Sequence, residues 1–111
     1  IPGHGLSNCD SHFKTPIIKN KKKDLIKNDF KPFKNSKAFF AMTAHIIYLS
    51  YDSKNTATHS KIMIDNVIRK HIKFKGLLIS DDISMKSLKY SLEENALLAI
   101  KSGCNLSINF L

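Results

Sequence analysis

A carboxylate and an imidazole lie two residues apart near the start of the sequence. Asp10 and His12 are separated only by Ser11. A histidine titrates near neutral pH, and a neighbouring carboxylate can raise its pKa and select its tautomer, as a proton donor requires. The same pattern is also typical of a polar turn with a solvated imidazole. The residues alone therefore leave two interpretations open, an acid–base pair and a turn.

A second group of polar residues follows apolar segments further along the chain. Asp81 and Asp82 come directly after the segment 76–80, and His45 ends the segment 38–45. A carboxylate at the end of a strand is held rigidly enough to act as a nucleophile. An aspartate at this place can equally cap a following helix. Asp82 in particular is compatible with a capping role alone.

A metal site is the third chemistry that the sequence raises. The candidate ligands are His4, Cys9, His12 and Cys104. Their spacing matches no common zinc pattern, and Cys104 would have to come from the interior of a strand. We therefore expect neither a metal nor another cofactor. We also expect both cysteines to be reduced, since one distant pair in a lysine-rich chain is not a disulfide framework.

Three apolar segments have the length of strands and would have to position these residues. They cover 38–45, 76–80 and 104–110. The first two are nearly continuous in apolar residues, which is typical of strands in a parallel sheet that is covered on both faces. The third alternates apolar and polar residues. The sequence therefore predicts a covered, mostly parallel sheet.

Helix signals separate the predicted strands. A helix over 60–70 is predicted to begin at the capping residue Ser60. A second helix, over 91–102, begins at a capping box in which the Ser91 hydroxyl accepts from the amide of Glu94. The glycine that follows this helix is expected to end it in a left-handed conformation.

The order of these elements predicts parallel β/α units. A further helical segment is expected over 24–36, with Pro32 marking a break or a first turn. Helices and strands then alternate, which favours an α/β fold with right-handed crossovers. Chemistry in such folds lies at the carboxyl ends of the strands, where His45, Asp81 and Asp82 are found.

Length and charge limit the classes of function. The chain has 111 residues, which allows one domain at most, and 42% of them are hydrophobic, enough for a modest core. The net charge of +9 invites a polyanion-binding interpretation. However, Arg69 is the only arginine and the lysines are spread along the chain. We therefore interpret the charge as a solvated lysine surface and expect no nucleic-acid partner.

The hydropathy of the sequence and its first residues lead to two further expectations. No apolar run approaches the ~20 residues of a membrane span, and no secretory signal pattern is present in the sequence. We therefore expect a cytoplasmic protein without a membrane partner. The chain starts at Ile1 and continues at once with turn residues, so we expect it to be a piece of a longer protein.

Four motifs carry a resemblance to a known family. They are Pro2-Gly3-His4-Gly5, Asp10-Ser11-His12, Met42-Thr43-Ala44-His45 and Ile79-Ser80-Asp81-Asp82-Ile83-Ser84-Met85. In this order and spacing the sequence resembles glycoside hydrolase family 3, and more narrowly its bacterial β-N-acetylhexosaminidases of cell-wall recycling. The resemblance implies a (β/α)8 TIM barrel, which needs roughly 250 residues. Residues 1–111 would then be the C-terminal part of the catalytic barrel domain and contain its last three strands.

The resemblance also implies roles for individual residues. Asp81 is then the nucleophile, His12 is the general acid/base, and Asp10 orients and polarises the imidazole. The implied reaction is hydrolysis of terminal non-reducing N-acetyl-β-D-glucosamine residues, from muropeptides or chitooligosaccharides, by a retaining mechanism. The candidates for substrate contact are His4, His45 and Met85.

Some parts of the implied site are not in this sequence. The resemblance implies a lysine–histidine pair just before Ile1, and an arginine and an aspartate from earlier strands. Residues that depart from the family pattern are Lys14, Thr15, Leu49 and Asn105. Three hypotheses therefore remain: part of an enzyme that an N-terminal barrel fragment completes, a split or decayed remnant without activity alone, and a basic polyanion-binding module.

Overall fold

Short parallel strands and three helices form the computed structural model, which describes residues 1–110. The strands are β1 (Ile17–Ile18), β2 (Phe40–Met42), β3 (Ile47–Tyr48) and β4 (Leu77–Ile79). The helices are α1 (Lys22–Lys27), α2 (Met63–His71) and α3 (Leu92–Ser102), and 3₁₀ turns occur at Lys31–Phe33 and Ala57–His59.

The central strands lie side by side in one direction. β2 pairs in parallel with β4, with Ala41 opposite Leu78. Ile79 of β4 also forms a parallel bridge with Leu106 in the third apolar segment. On the other edge of β2, the carbonyl of Ile1 accepts a 2.9 Å hydrogen bond from the amide of Ala44. The predicted parallel arrangement of the three apolar segments is therefore confirmed.

A second parallel pair lies beside this sheet. β1 pairs with β3, with Ile17 opposite Ile47. The Tyr48 ring is fully buried and packs edge-on against Phe30, with 6.0 Å between the ring centroids. Its hydroxyl donates to the carbonyl of Gly3. This bond ties the segment that precedes Asp10 to the core.

Residues 1–110 bury the apolar strand at 38–45 only in part. The side chains of Phe39 and Phe40 are 83% and 58% exposed, and Met42 is exposed as well. Burial begins only at Thr43. Within residues 1–110, no other element covers the side chains of β2 from both sides, so an apolar strand is left on the surface.

The helix predictions differ in their success. Ser60 caps α2 as expected, because its hydroxyl accepts from the Met63 amide at 3.1 Å. α2 is wound more widely than an α-helix, and the Ile72 amide bonds to the carbonyl of Val67. Ser91 caps α3 by accepting from the Glu94 amide at 3.2 Å, and α3 ends at Gly103 with a φ of +127°.

The predicted helix over 24–36 is shorter than expected. α1 ends at Lys27, and Pro32 lies in the separate 3₁₀ turn. Proline has no amide hydrogen and so cannot continue an α-helical hydrogen-bond ladder. α1 nevertheless ends before it reaches the proline, which lies in the first turn of the 3₁₀ segment.

The hydrophobic core lies between the helices and the two strand pairs. Its largest fully buried side chains are Ile18, Leu25, Phe30, Ile46, Tyr48, Ile64, Ile68, Phe74 and Leu78. The stripe predicted for α2 accounts for Ile64, Val67 and Ile68 in this core. Across the described residues, no helix is both long enough and apolar enough to span a membrane.

Candidate active site

Asp81 lies just beyond the carboxyl end of β4 and is partly exposed. Its Oδ1 accepts a 2.8 Å hydrogen bond from the amide of Asp82. A carboxylate held by its own neighbouring backbone has little freedom to turn away. This is the arrangement that a nucleophile at a strand end requires.

The adjacent Asp82 has a different role. Its Oδ1 accepts from the amide of Ser84 at 3.0 Å and from the Ser84 hydroxyl at 2.8 Å. Partial burial opposes ionisation, but these bonds and one from the Phe110 amide lower the pKa of Asp82 below its usual value. Asp82 thus closes a turn; it does not cap a helix, since α3 begins only at Leu92.

Asp10 and His12 form a direct pair. The Asp10 Oδ1 lies 2.7 Å from His12 Nδ1 and also accepts from the His12 amide at 2.9 Å. The side chains are 71% exposed for His12 and 55% for Asp10. One carboxylate oxygen therefore both closes the turn and holds the ring. An acid–base role for the pair stays a prediction.

The pairing changes the pKa of both groups. The amide of His12, and then its ring, lowers the pKa of Asp10 below its usual value. The hydrogen bond to Asp10, and then the negative charge of Asp10, raises the pKa of His12. The more distant charges of Asp81 and Asp82 act in the same direction. The imidazole therefore stays protonated to a higher pH than a solvated histidine.

One cleft brings the loop motif and the strand-end motif together. It has a volume of about 270 Å³, and Ser11 lines it together with Asp81, His4 and His45. Ser11 stands between Asp10 and His12 in the chain. The structure thus brings the loop that carries Asp10 and His12 to the cleft at which the candidate nucleophile lies.

The three candidates for substrate contact differ in exposure. His4 is exposed, and its carbonyl accepts from the Ser7 amide at 3.0 Å. His45 and Met85 are both buried. The two ring nitrogens of His45 lie 2.7 Å from the Thr58 hydroxyl and 2.9 Å from the Asp82 carbonyl. Contact of these residues with a sugar stays a prediction.

Asp29 is a buried residue of the site region that the sequence analysis missed. A Cβ on Gly3, whose φ is +149°, would lie 2.8 Å from the Asp29 Cβ, so only glycine fits there. Burial raises the pKa of Asp29, although a bond from the Leu6 backbone and the charge of His4 oppose this. No sequence signal distinguishes this aspartate, because its partners lie more than twenty residues away.

His59 is buried in a 3₁₀ turn. The His59 Nε2 lies 3.1 Å from the carbonyl of Asn95, which can only accept. Burial lowers the pKa of His59. The residue therefore joins the turn to α3.

The metal alternative finds no cluster of ligands among residues 1–110. No group of three or more histidine, cysteine or acidic side chains is arranged to hold a metal there. Cys9 and Cys104 are free thiols, and burial raises the pKa of Cys104 to about 11. The guanidinium of Arg69 bonds to the carbonyls of Phe74 and Gly76 at 3.0 and 2.8 Å. This arginine thus supports the fold.

Comparison with known proteins assigns the chain to a family. Residues 1–110 match the glycosyl hydrolase family 3 N terminal domain. The chain belongs to glycoside hydrolase family 3. It is 34% identical over 112 residues to a beta-hexosaminidase of Glaesserella parasuis, covering 96% of this chain and 33% of the relative. The chain therefore spans about a third of the length of that family member.

Solved structures of the same family agree with this assignment. A family 3 beta-N-acetylglucosaminidase from a Paenibacillus strain superposes with a TM-score of 0.91 at 27% identity, over 97% of this chain and 22% of that one. NagZ from Neisseria gonorrhoeae, in complex with N-trifluoroacetyl-D-glucosamine, superposes with a TM-score of 0.83 at 29% identity, over 97% and 31%. The expected α/β fold, part of a TIM barrel, is confirmed.

Proposed function

We propose that residues 1–111 contribute both catalytic groups of a retaining β-N-acetylhexosaminidase. The nucleophile is Asp81 and the general acid/base is His12, which Asp10 orients. The observation that carries the proposal is the cleft lined by Ser11 and Asp81, next to an Asp10–His12 contact of 2.7 Å. A retaining glycosidase needs these two functions, an attacking group and a proton donor, at one glycosidic bond.

In the first step, the Asp81 carboxylate attacks the anomeric carbon. The bond from that carbon to the leaving oxygen breaks, and the oxygen takes a proton from the imidazolium of His12. A covalent glycosyl ester on Asp81 results. The raised pKa of His12 supports this step, because it keeps the donor protonated to a higher pH than in a solvated histidine.

In the second step, the neutral imidazole of His12 removes a proton from water. The water oxygen forms a bond to the anomeric carbon, and the ester bond to Asp81 breaks. The sugar leaves with its original anomeric configuration, since two inversions have occurred. Both side chains return to their starting states. The exposure of Asp10 and His12 gives water access to this loop.

For the substrate we propose terminal non-reducing N-acetyl-β-D-glucosamine residues of muropeptides or chitooligosaccharides. The bound N-trifluoroacetyl-D-glucosamine of the gonococcal NagZ structure supports a sugar of this kind. We further propose that an N-terminal barrel fragment completes the site. The exposed Phe39 and Phe40 at the start of β2 support this, because an apolar strand normally packs against further elements.

A segment replacement tests the proposal directly. The matched third of the Glaesserella parasuis relative is replaced by residues 1–111, and the product is called the segment-swapped enzyme. We expect it to hydrolyse 4-nitrophenyl N-acetyl-β-D-glucosaminide with retention of configuration. Trapping with a mechanism-based fluoroglycoside, followed by peptide mass spectrometry, should locate the ester on Asp81.

The controls separate a failure of chemistry from a failure of folding. The unmodified relative gives the reference rate, and calorimetry reports whether the segment-swapped enzyme unfolds cooperatively. A folded, monodisperse segment-swapped enzyme without turnover contradicts the proposal. An ester on a residue other than Asp81 contradicts the assignment of the nucleophile.

A further inference from the structure

A series of buried hydrogen bonds ends at the residue that follows Asp81. The hydroxyls of Thr43 and Thr58 are 2.8 Å apart, and the Thr58 hydroxyl is 2.7 Å from His45 Nδ1. Thr43, Thr58 and His45 are each at most 1% exposed. Burial of a polar group costs free energy unless the group is hydrogen-bonded. We therefore expect each proton in this series of hydrogen bonds to have a defined position.

The acceptor at the far end determines these positions. His45 Nε2 lies 2.9 Å from the backbone carbonyl of Asp82, and a carbonyl can only accept. Nε2 must therefore carry the proton. In the neutral ring, Nδ1 is then an acceptor. The single proton of the Thr58 hydroxyl has two acceptors in reach, Nδ1 at 2.7 Å and the Ala44 carbonyl at 3.2 Å, and the shorter contact is the one to Nδ1. Burial lowers the pKa of His45, which favours this neutral ring.

Asp82 links this series of hydrogen bonds to the candidate nucleophile through its backbone. Its carbonyl accepts from His45 Nε2 and, at 3.1 Å, from the amide of Met85. Its own amide donates to Asp81 Oδ1 at 2.8 Å. The orientation of the carbonyl and the orientation of the amide both depend on the backbone dihedrals of this residue. Fixing the carbonyl therefore restricts where the amide holds the Asp81 carboxylate.

We propose that His45 is a positioning residue for Asp81, and that Thr58 selects the imidazole tautomer that holds the Asp82 carbonyl. The catalytic part of this inference rests on the function proposed above. The role differs from substrate contact, because both ring nitrogens of His45 are used inside the protein. A misplacement of a reacting group by about 1 Å can cost ~10²-fold in rate.

Two pairs of variants separate positioning from general stability. His45→Gln keeps an amide donor near the place of Nε2, whereas the shorter side chain of His45→Asn reaches only the place of Nδ1. Thr58→Ser keeps the hydroxyl, whereas Thr58→Val removes it in a similar volume. The two variants of each pair change the same buried position and differ in the hydrogen bond under test.

The first measurement is amide hydrogen exchange in the segment-swapped enzyme, read by mass spectrometry on peptides. We expect His45→Asn and Thr58→Val to speed exchange at 80–86, while a peptide over 17–27 stays unchanged. His45→Gln and Thr58→Ser should exchange at 80–86 more slowly than their partners. A uniform rise in both peptides, or no difference within each pair, would overturn the inference.

The second measurement is hydrolysis by the segment-swapped enzyme. We expect His45→Asn to lower kcat by ~10²-fold with little change in KM, and His45→Gln to keep at least ten times more kcat than His45→Asn. Equal kcat in the two variants of an active enzyme would overturn the positioning role. If the parent enzyme is inactive, the proposed function fails, and the exchange experiment still decides whether His45 holds the turn.

Discussion

At the scale of single residues, one oxygen of Asp10 both closes a turn and holds the His12 ring. The same oxygen accepts from the His12 amide at 2.9 Å and contacts Nδ1 at 2.7 Å. Since Nδ1 is engaged, Nε2 is the nitrogen that can deliver a proton to a leaving group. The turn therefore decides which side of the ring is chemically useful.

Asp81→Ala should abolish hydrolysis of an aryl N-acetyl-β-glucosaminide by the segment-swapped enzyme. Product binding should stay within about tenfold, because the nucleophile acts mainly in the transition state and the intermediate. Steady-state kinetics and calorimetric titration with N-acetylglucosamine measure the two effects. Asp82→Asn is the matched control and should lose much less, since its Oδ1 still accepts from Ser84. Equal losses would refute the division of roles.

His12→Ala should show a strong dependence on the leaving group. A sugar alcohol needs protonation as it departs, whereas a nitrophenolate departs with little help. We therefore expect a far larger loss of kcat/KM with a disaccharide than with a nitrophenyl glycoside. If both substrates lose the same factor, His12 is not the proton donor.

Asp10→Asn should move the alkaline limb of the kcat/KM profile to lower pH. Asp10 raises the pKa of His12 by a hydrogen bond and by its charge. Without the charge the pKa falls back toward that of a solvated histidine, so the protonated donor is lost at a lower pH. A profile measured with the disaccharide tests the direction. Ser7→Ala, in the same loop and without a charge, should leave the limb in place.

At the scale of elements, close backbone contacts decide how the strands meet. Gly76 stands directly before β4 and lies beside β2. A Cβ at this position would lie 2.4 Å from the carbonyl oxygen of Phe39 and 2.8 Å from that of Ala38. Both contacts involve backbone, which cannot rotate away as a side chain can. The pairing of β2 with β4 therefore requires glycine here.

Gly76→Ala should destabilise the segment-swapped enzyme by about 1–3 kcal/mol, the usual range for overpacking. Urea unfolding measures this as a lower midpoint at an unchanged slope. Lys75→Ala is the neighbouring control, and its exposed side chain should leave the midpoint nearly unchanged. A midpoint equal to that of the control would contradict the close approach of the strands.

At the scale of the whole molecule, apolar surface remains at the central sheet. Phe39, Phe40, Met42 and Leu77 are all exposed large hydrophobic side chains. Exposed apolar strands are prone to pair with other chains. Since the chain spans about a third of its relatives, this surface agrees with the proposed completion by an N-terminal barrel fragment.

The 111-residue chain alone should self-associate and show no measurable hexosaminidase activity. Sedimentation velocity and an aryl-glycoside assay on the same sample test both statements. Replacing Phe39 and Phe40 together by serine should reduce association, whereas Leu97→Ser, which changes an exposed leucine of α3, should not. A monodisperse monomer that turns over substrate would contradict this prediction.

Local signals in the sequence determined the parts of the structure whose hydrogen bonds span few residues. The caps at Ser60 and Ser91 and the pair of Asp10 with His12 each join groups two or three positions apart. Such contacts depend on neighbouring residues and not on how distant segments of the chain pack. The family motifs in addition led to the parallel β/α fold, because their order along the chain is that of the strands.

Only the tertiary structure decided which of these elements are covered and which polar groups meet. His45 and the Asp82 carbonyl are 37 residues apart, and the Asp29 carboxylate lies under the Gly3 turn. The apolar pattern predicted burial for Phe40, yet that side chain is 58% exposed. Burial of an apolar side chain lowers the free energy of the protein in water. The packing of distant segments decides whether anything is there to bury it.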